Sequence, residues 1–73
     1  MNEGKISCLE KHKIEKNIIQ LILIYPNIRP IFKKGKVVET FDDSFIFDDI
    51  IEGIIQLSYD NLSEIKILEK GNG

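Results

Sequence analysis

The sequence predicts a mostly β fold: a short N-terminal helix followed by five short strands curled into a small barrel. Three observations carry this. In the segment after Ile31, Val37, Glu39 and Phe41 fall on one face and Val38, Thr40 and Asp42 on the other, the period-two pattern of a strand. Turn chemistry punctuates the chain at Asp42-Asp43-Ser44, Glu52-Gly53 and Asp60-Asn61-Leu62-Ser63, where short polar side chains bond nearby backbone N–H groups and glycine offers positive φ. Gly35 sits inside an alternating strand, and a glycine there signals a bulge or sharp bend, the usual way to curl one strand between two sheets.

Lys5 to Lys16 is polar, with Ile6, Leu9 and Ile14 loosely spaced, and Ser7 with Glu10 has the spacing of a capping box. Ile14, Ile18, Leu21, Ile22 and Tyr25 continue at helical spacing. Yet Ile18-Ile19 and Leu21 to Ile24 are rich in β-branched residues, which favour strands. Two readings follow: one helix from about residue 6 to Ile24, or a helix over about 6–17 and a strand from Ile18 to Tyr25. The second is preferred, because the remaining strands need a fifth member to close a barrel. Pro26 ends either element and Pro30 keeps Arg29 out of a helix. Phe45 and Phe47 face one way and Ile46 the other. Ile55, Leu57 and Tyr59 share a face of a fourth strand, and Ile65, Ile67 and Leu68 form a short last one. Lys70 to Gly73 reads as a frayed tail. Strands thus cover about 18–69, and 1–73 reads as one small SH3-like barrel domain.

A chain of 73 residues has a marginal core, since at this size only about 60% of the unfolded surface is buried. Such chains usually need disulfides, a metal or self-association. One cysteine, Cys8, and one histidine, His12, supply neither of the first two, so a homo-oligomer is expected. The lone Cys8 also points to a reducing, cytoplasmic setting. The opening MNEGKIS has no long apolar core or small-residue cleavage site, which argues against a signal peptide. The longest apolar run, Ile18 to Tyr25, is far short of the roughly 20 residues a membrane span needs.

The net charge of −2 conceals an asymmetry: residues 1–40 carry eight Lys and Arg against four Asp and Glu, and residues 41–73 carry two against eight. From Phe41 to Asp60 there are six acids and no base. A polyanion is repelled there, so nucleic-acid contact must use the basic half or avoid phosphates. Lys11, Lys13, Lys16, Arg29, Lys33, Lys34 and Lys36 are the candidate phosphate contacts. Tyr25, Phe41, Phe45 and Tyr59 are candidates to stack on bases. Phe41 and Phe45 read more strongly as core, whereas Tyr59 ends a strand where its hydroxyl reaches water.

Val38, Phe41, Asp42 and Phe45 carry a resemblance. Their order is similar to the first signature of the Sm-like family, which includes the Hfq-type bacterial RNA chaperones: glycine, any residue, apolar, two of any, aromatic, Asp, two of any, apolar. Gly35 stands one position before the signature's glycine, where Lys36 lies. Asp60, Leu62 and Ile65 match the spacing of the second signature, after a strand ending in Tyr59. The resemblance spans about Ile18 to Leu68 and implies a hexameric or heptameric ring of Sm-like barrels that binds RNA without catalysis. The positions it assigns to the RNA site are Asp42, Asp43, Ser44, Tyr59, Asp60 and Asn61, and the charge pattern adds Lys33 and Lys34 on the basic strand. Departures cluster there. Asp43-Ser44 replaces the chaperones' Gln-Phe pair, Tyr59-Asp60-Asn61 their Tyr-Lys-His triplet, and Ile46 and Ser58-Tyr59 stand where other members have Asn and an Arg-Gly pair.

Other constellations have simpler explanations. Asp42, Asp43, Asp48, Asp49 and Glu52 fit no EF-hand spacing and read as solvated strand ends. A paired-carboxylate hydrolase needs a deep cleft that so short a chain rarely provides. Cys8 and His12, four apart on a helix, lack an oxyanion hole and an orienting group and read as helix surface. The expectation is therefore an RNA-binding, non-enzymatic ring protein with no cofactor. The alternative is a protein-interaction or assembly module on the same barrel, and a DNA-binding barrel meets the same acidic segment.

Overall fold

A computed structural model describes residues 2–71. Helix α1, Glu3–Glu15, starts earlier than the Ser7–Glu10 spacing suggests. Asn2 takes the N-cap position and its carbonyl accepts the Ile6 N–H at 2.8 Å, while Glu3 places a negative charge where the helix dipole favours one. Ser7 and Glu10 thus lie inside the helix and form no capping box. Glu10 instead accepts from the Thr40 hydroxyl and pairs with Lys13 at 3.2 Å.

No glycine ends α1. Lys16 takes the left-handed conformation (φ 58°, ψ 35°) in its place. The Lys16 N–H bonds the Lys13 carbonyl and the Asn17 N–H bonds the His12 carbonyl, each at 3.2 Å, which is the two-bond closure of a Schellman motif. Strand β1, Ile18–Leu23, follows at once, as the β-branched run leads one to expect.

The chain continues through β2 (Ile31–Thr40), β3 (Ser44–Asp49), β4 (Gly53–Ser58), a 3₁₀ turn (Tyr59–Asn61) and β5 (Leu62–Glu69). The 3₁₀ turn comes one residue earlier than the turn signals indicate, and β5 is longer. All five strands form one antiparallel sheet in the order β4-β3-β2-β1-β5. The sheet is not closed, which corrects the expectation of a barrel. The 3₁₀ turn carries the chain from β4 on one edge to β5, which pairs with β1 on the other. Among the described residues β4 and β5 therefore each keep one unpaired side.

The alternation of β2 breaks at Val38. The register with β3 slips between Val37 and Glu39, so Val38 and Glu39 are both exposed and Thr40 falls opposite buried Phe45. Gly35 has a different role from the bulge: a Cβ there would overlap the Asp48 carbonyl, so glycine is what lets β2 and β3 approach closely. At the next turn Asp49 is buried, not solvated. Its carboxylate accepts the N–H groups of Ile51 at 3.0 Å and Glu52 at 2.8 Å, and Gly53 completes the turn at φ 81°.

Leu9 of α1 packs with Ile19, Leu21, Leu23, Val37, Phe45, Phe47, Tyr59 and Leu62 to form the core; each large apolar side chain buried contributes about 1.5–3 kcal/mol. The frayed tail is corrected in part, because the Gly71 N–H donates to Asn17 Oδ1 at 2.9 Å; residues 72 and 73 of that tail lie outside the described residues. Among the described residues, no helix is long and apolar enough to cross a membrane.

Candidate nucleic-acid interface

The turn after β2 and the 3₁₀ turn lie together, so Asp43, Ser44 and Asp60 line one shallow hollow with Asn2, Gln56 and Ser58. Ser44 and Ser58 are partners across β3 and β4, and the Ser44 hydroxyl accepts from Gln56 Nε2 at 2.9 Å. The Asp42 carbonyl accepts from Asn2 Nδ2 at 3.1 Å. Asp60 is exposed and donates its N–H to the Ser58 hydroxyl at 3.1 Å. The hollow thus collects acids and small hydroxyls, an arrangement that repels phosphate.

Two of the candidate residues in the 3₁₀ turn serve the fold. Tyr59 is fully buried, its ring stacked on Phe45 at 5.3 Å and 24°, and its hydroxyl donates to the Phe41 carbonyl at 2.7 Å. Burial pushes that phenol above its ordinary range. In this position the ring offers no face to a base. Asn61 clamps the end of β1: its carbonyl accepts the Ile24 N–H at 2.8 Å and its side chain donates to the Ile24 carbonyl at 3.2 Å. Phe45 is core as the sequence suggests, whereas Phe41 is 48% exposed.

Lys33 and Lys34 sit at the far end of β2, eight or nine residues before Asp42, which at about 3.3 Å per residue is more than roughly 25 Å along the strand. They also face opposite ways. Lys33 turns inward and holds Glu52 at 2.8 Å. Lys34 is exposed together with Phe32 and Lys36. Register places Gln20 beside Lys34, and Lys66 beside Gln20, so Phe32, Lys34, Lys36 and Lys66 make an aromatic and basic strip on the outer face of the sheet. Lys36 also shares a hollow with Lys16 and Lys70. Among the described residues, ion pairs within 4 Å engage only Lys13 and Lys33, so none ties up Lys34, Lys36 or Lys66, although register sets the exposed Asp48 opposite Lys36 and Glu69 shares its hollow. Phe32 and Lys66 escape a reading of the sequence because strand register, not composition, puts them next to Lys34. The one signal for Phe32 is its period-two spacing with Lys34 and Lys36; nothing in the sequence ties Lys66 to them.

Among the described residues, no group of three or more His, Cys, Asp or Glu is placed to hold a metal ion. The Lys13 ammonium lies 2.8 Å from Glu39, and hydrogen bonds from it hold the Glu39 carboxyl below its ordinary range. The β4 strand leads into an apolar groove, with Ile55 and Leu57 facing Leu23, Tyr25 and Ile31. Comparison with protein-family models, curated proteins and solved structures finds no match.

Proposed function

We propose that this chain is a non-catalytic, Sm-like RNA-binding protein that works as a homo-oligomeric ring. The observation that carries the reading is the strand order, β4-β3-β2-β1-β5 after an N-terminal helix, with β4 and β5 left as open edges of one sheet. Open edges recruit strands. Pairing β4 of one copy with β5 of the next is a head-to-tail contact, which generates a ring when the rotation closes. The same contact covers the Ile55–Leu57 groove and adds to a core that is marginal in a single chain.

In this reading RNA meets the outer strip rather than the acidic hollow. Phe32 is 58% exposed and stacks on a base, while Lys34, Lys36 and Lys66 contact phosphates. A second reading, a protein-assembly module with no nucleic acid, is favoured by one observation, the Asp43 and Asp60 pair in the hollow after β2.

Light scattering after size exclusion tests the ring, and filter binding to oligo-U and oligo-A across a salt series tests the RNA. A hexamer or heptamer is expected, with affinity that falls as salt rises. Lys34→Glu with Lys36→Glu is expected to abolish binding at moderate salt and to reduce the salt slope by about 0.7 for each phosphate no longer neutralised. A monomer at every concentration overturns the ring. A ring that binds neither oligonucleotide at low salt moves the conclusion to the assembly module.

A further inference from the structure

His12, Asn17 and Gly71 meet at the end of α1, where the chain returns after β5. His12 is 5% exposed and Asn17 1%, so both side chains must satisfy their polar atoms inside the protein. The orientation of the Asn17 amide is fixed by two partners whose roles allow no choice. The Gly71 backbone N–H can only donate, and it reaches Oδ1 at 2.9 Å. The Glu15 carboxylate accepts, and it lies 3.0 Å from Nδ2. The amide Nδ2 therefore also faces His12 Nδ1, 3.0 Å away, as a donor. His12 Nδ1 must accept, so the ring is neutral with its proton on Nε2. Gly71 belongs to this arrangement sterically as well, because a Cβ there would overlap the carbonyl oxygens of Glu15 and Lys16.

We infer that His12 is a proton-operated latch on the chain segment after β5: protonating its ring releases Gly71 from Asn17. A proton on Nδ1 sets a donor against the Asn17 amide donors. Turning the amide over gives His12 an acceptor, but it then presents Nδ2 to the Gly71 N–H and removes the donor from Glu15. The turned amide relieves the clash of donors at His12, and it is in turning that the Gly71 bond is lost. Burial holds the His12 ring below the ordinary histidine range, as the latch requires. Lys11 and Glu15 flank the pocket from the helix, with Cys8 one turn before His12, and Lys70 enters from the segment after β5; Lys16, Lys36 and Glu69 line the adjoining hollow, and Glu39 on β2 is occupied by Lys13. Lys70 is thus held beside Lys16 and Lys36 only while the latch is closed. The latch operates whether or not the protein binds RNA.

Nitrogen NMR of the full chain from about pH 7.5 down to about 4 tests it, a range extended below ordinary histidine titration because burial lowers the His12 midpoint. The neutral His12 ring is expected to carry its proton on Nε2. The Gly71 amide is expected to shift with the His12 midpoint and to lose about tenfold in exchange protection, the worth of one such hydrogen bond. His12→Gln, whose amide oxygen accepts from Asn17 at any pH, is expected to keep Gly71 protected throughout. The latch is overturned by a neutral ring protonated on Nδ1, by a Gly71 amide that stays flat while His12 titrates, or by equal loss of protection at Ile19 and Leu21, which means global unfolding.

Discussion

Tyr59 is held at both ends, by Phe45 against its ring and by the Phe41 carbonyl on its hydroxyl, and Lys5 adds a bond to its carbonyl at 2.7 Å. These contacts join α1, the turn after β2 and the 3₁₀ turn at one residue, through its ring, its hydroxyl and its backbone carbonyl. Tyr59→Phe keeps the stacked ring and removes only the hydroxyl, so it is expected to lower stability by about 1 kcal/mol and to leave the proposed RNA affinity unchanged. Urea midpoints alongside filter binding read both quantities. Weaker RNA binding at an unaltered midpoint would return Tyr59 to the nucleic-acid site. That Tyr59 packs inward could not be told from its place at a strand end. A tyrosine is amphipathic, and which end finds water depends on what lies across the sheet.

At the scale of elements, some junctions close by backbone bonds alone, as between α1 and β1, and others by a side chain bonding to backbone. The turn from β3 to β4 hangs on Asp49, whose carboxyl is held below its ordinary range chiefly by the Glu52 N–H. A carboxyl lowered in the folded state adds stability above its unfolded value of about 3.9 and loses it as pH falls through the lowered folded value. Asp49→Asn keeps an acceptor but no charge, so the wild type should exceed it by roughly 1 kcal/mol at pH 6, and the gap should close below about pH 4. Urea midpoints of the two proteins from pH 6 to 3 check this. A gap that persists at pH 3 would mean that the charge is not what holds the turn. His12 acts with the opposite charge change and in a higher window: its neutral form favours the fold, so that contribution falls below about pH 6.5, before Asp49 begins to titrate. The junction from α1 to β1 shows how an element boundary escapes punctuation. Lys16 does a glycine's work at φ 58°, which costs about 1–2 kcal/mol for an L-residue and is offset by the bonds at Asn17.

At the scale of the whole molecule, the described residues form one helix and one sheet with two open edges, and exposed apolar residues lie along both. Ile54 on β4 is 64% exposed, and Ile67 and Leu68 on β5 are 44% and 47% exposed. Leu68→Glu puts a charge on the β5 edge without disturbing the core, so it is expected to break the proposed ring into single chains that keep their circular dichroism. Light scattering reads the mass, and an intact ring would move the interface away from β5.

Much of the fold was legible in the order of residues. The β-branched run from Ile18, the alternation ending in Val37, Phe45-Ile46-Phe47 and the Glu52-Gly53 turn are local signals, and local sterics convert them directly into strands and turns. What the tertiary structure alone decided was register, edge and company. The slip at Val38 moved Thr40 inward, the 3₁₀ turn sent β5 to the far side of β1, and the fold brought Gly71 back to Asn17 across 54 positions of chain. Each depends on which distant backbone a segment meets, and strand pairing and burial set that, not the neighbours of a residue in sequence.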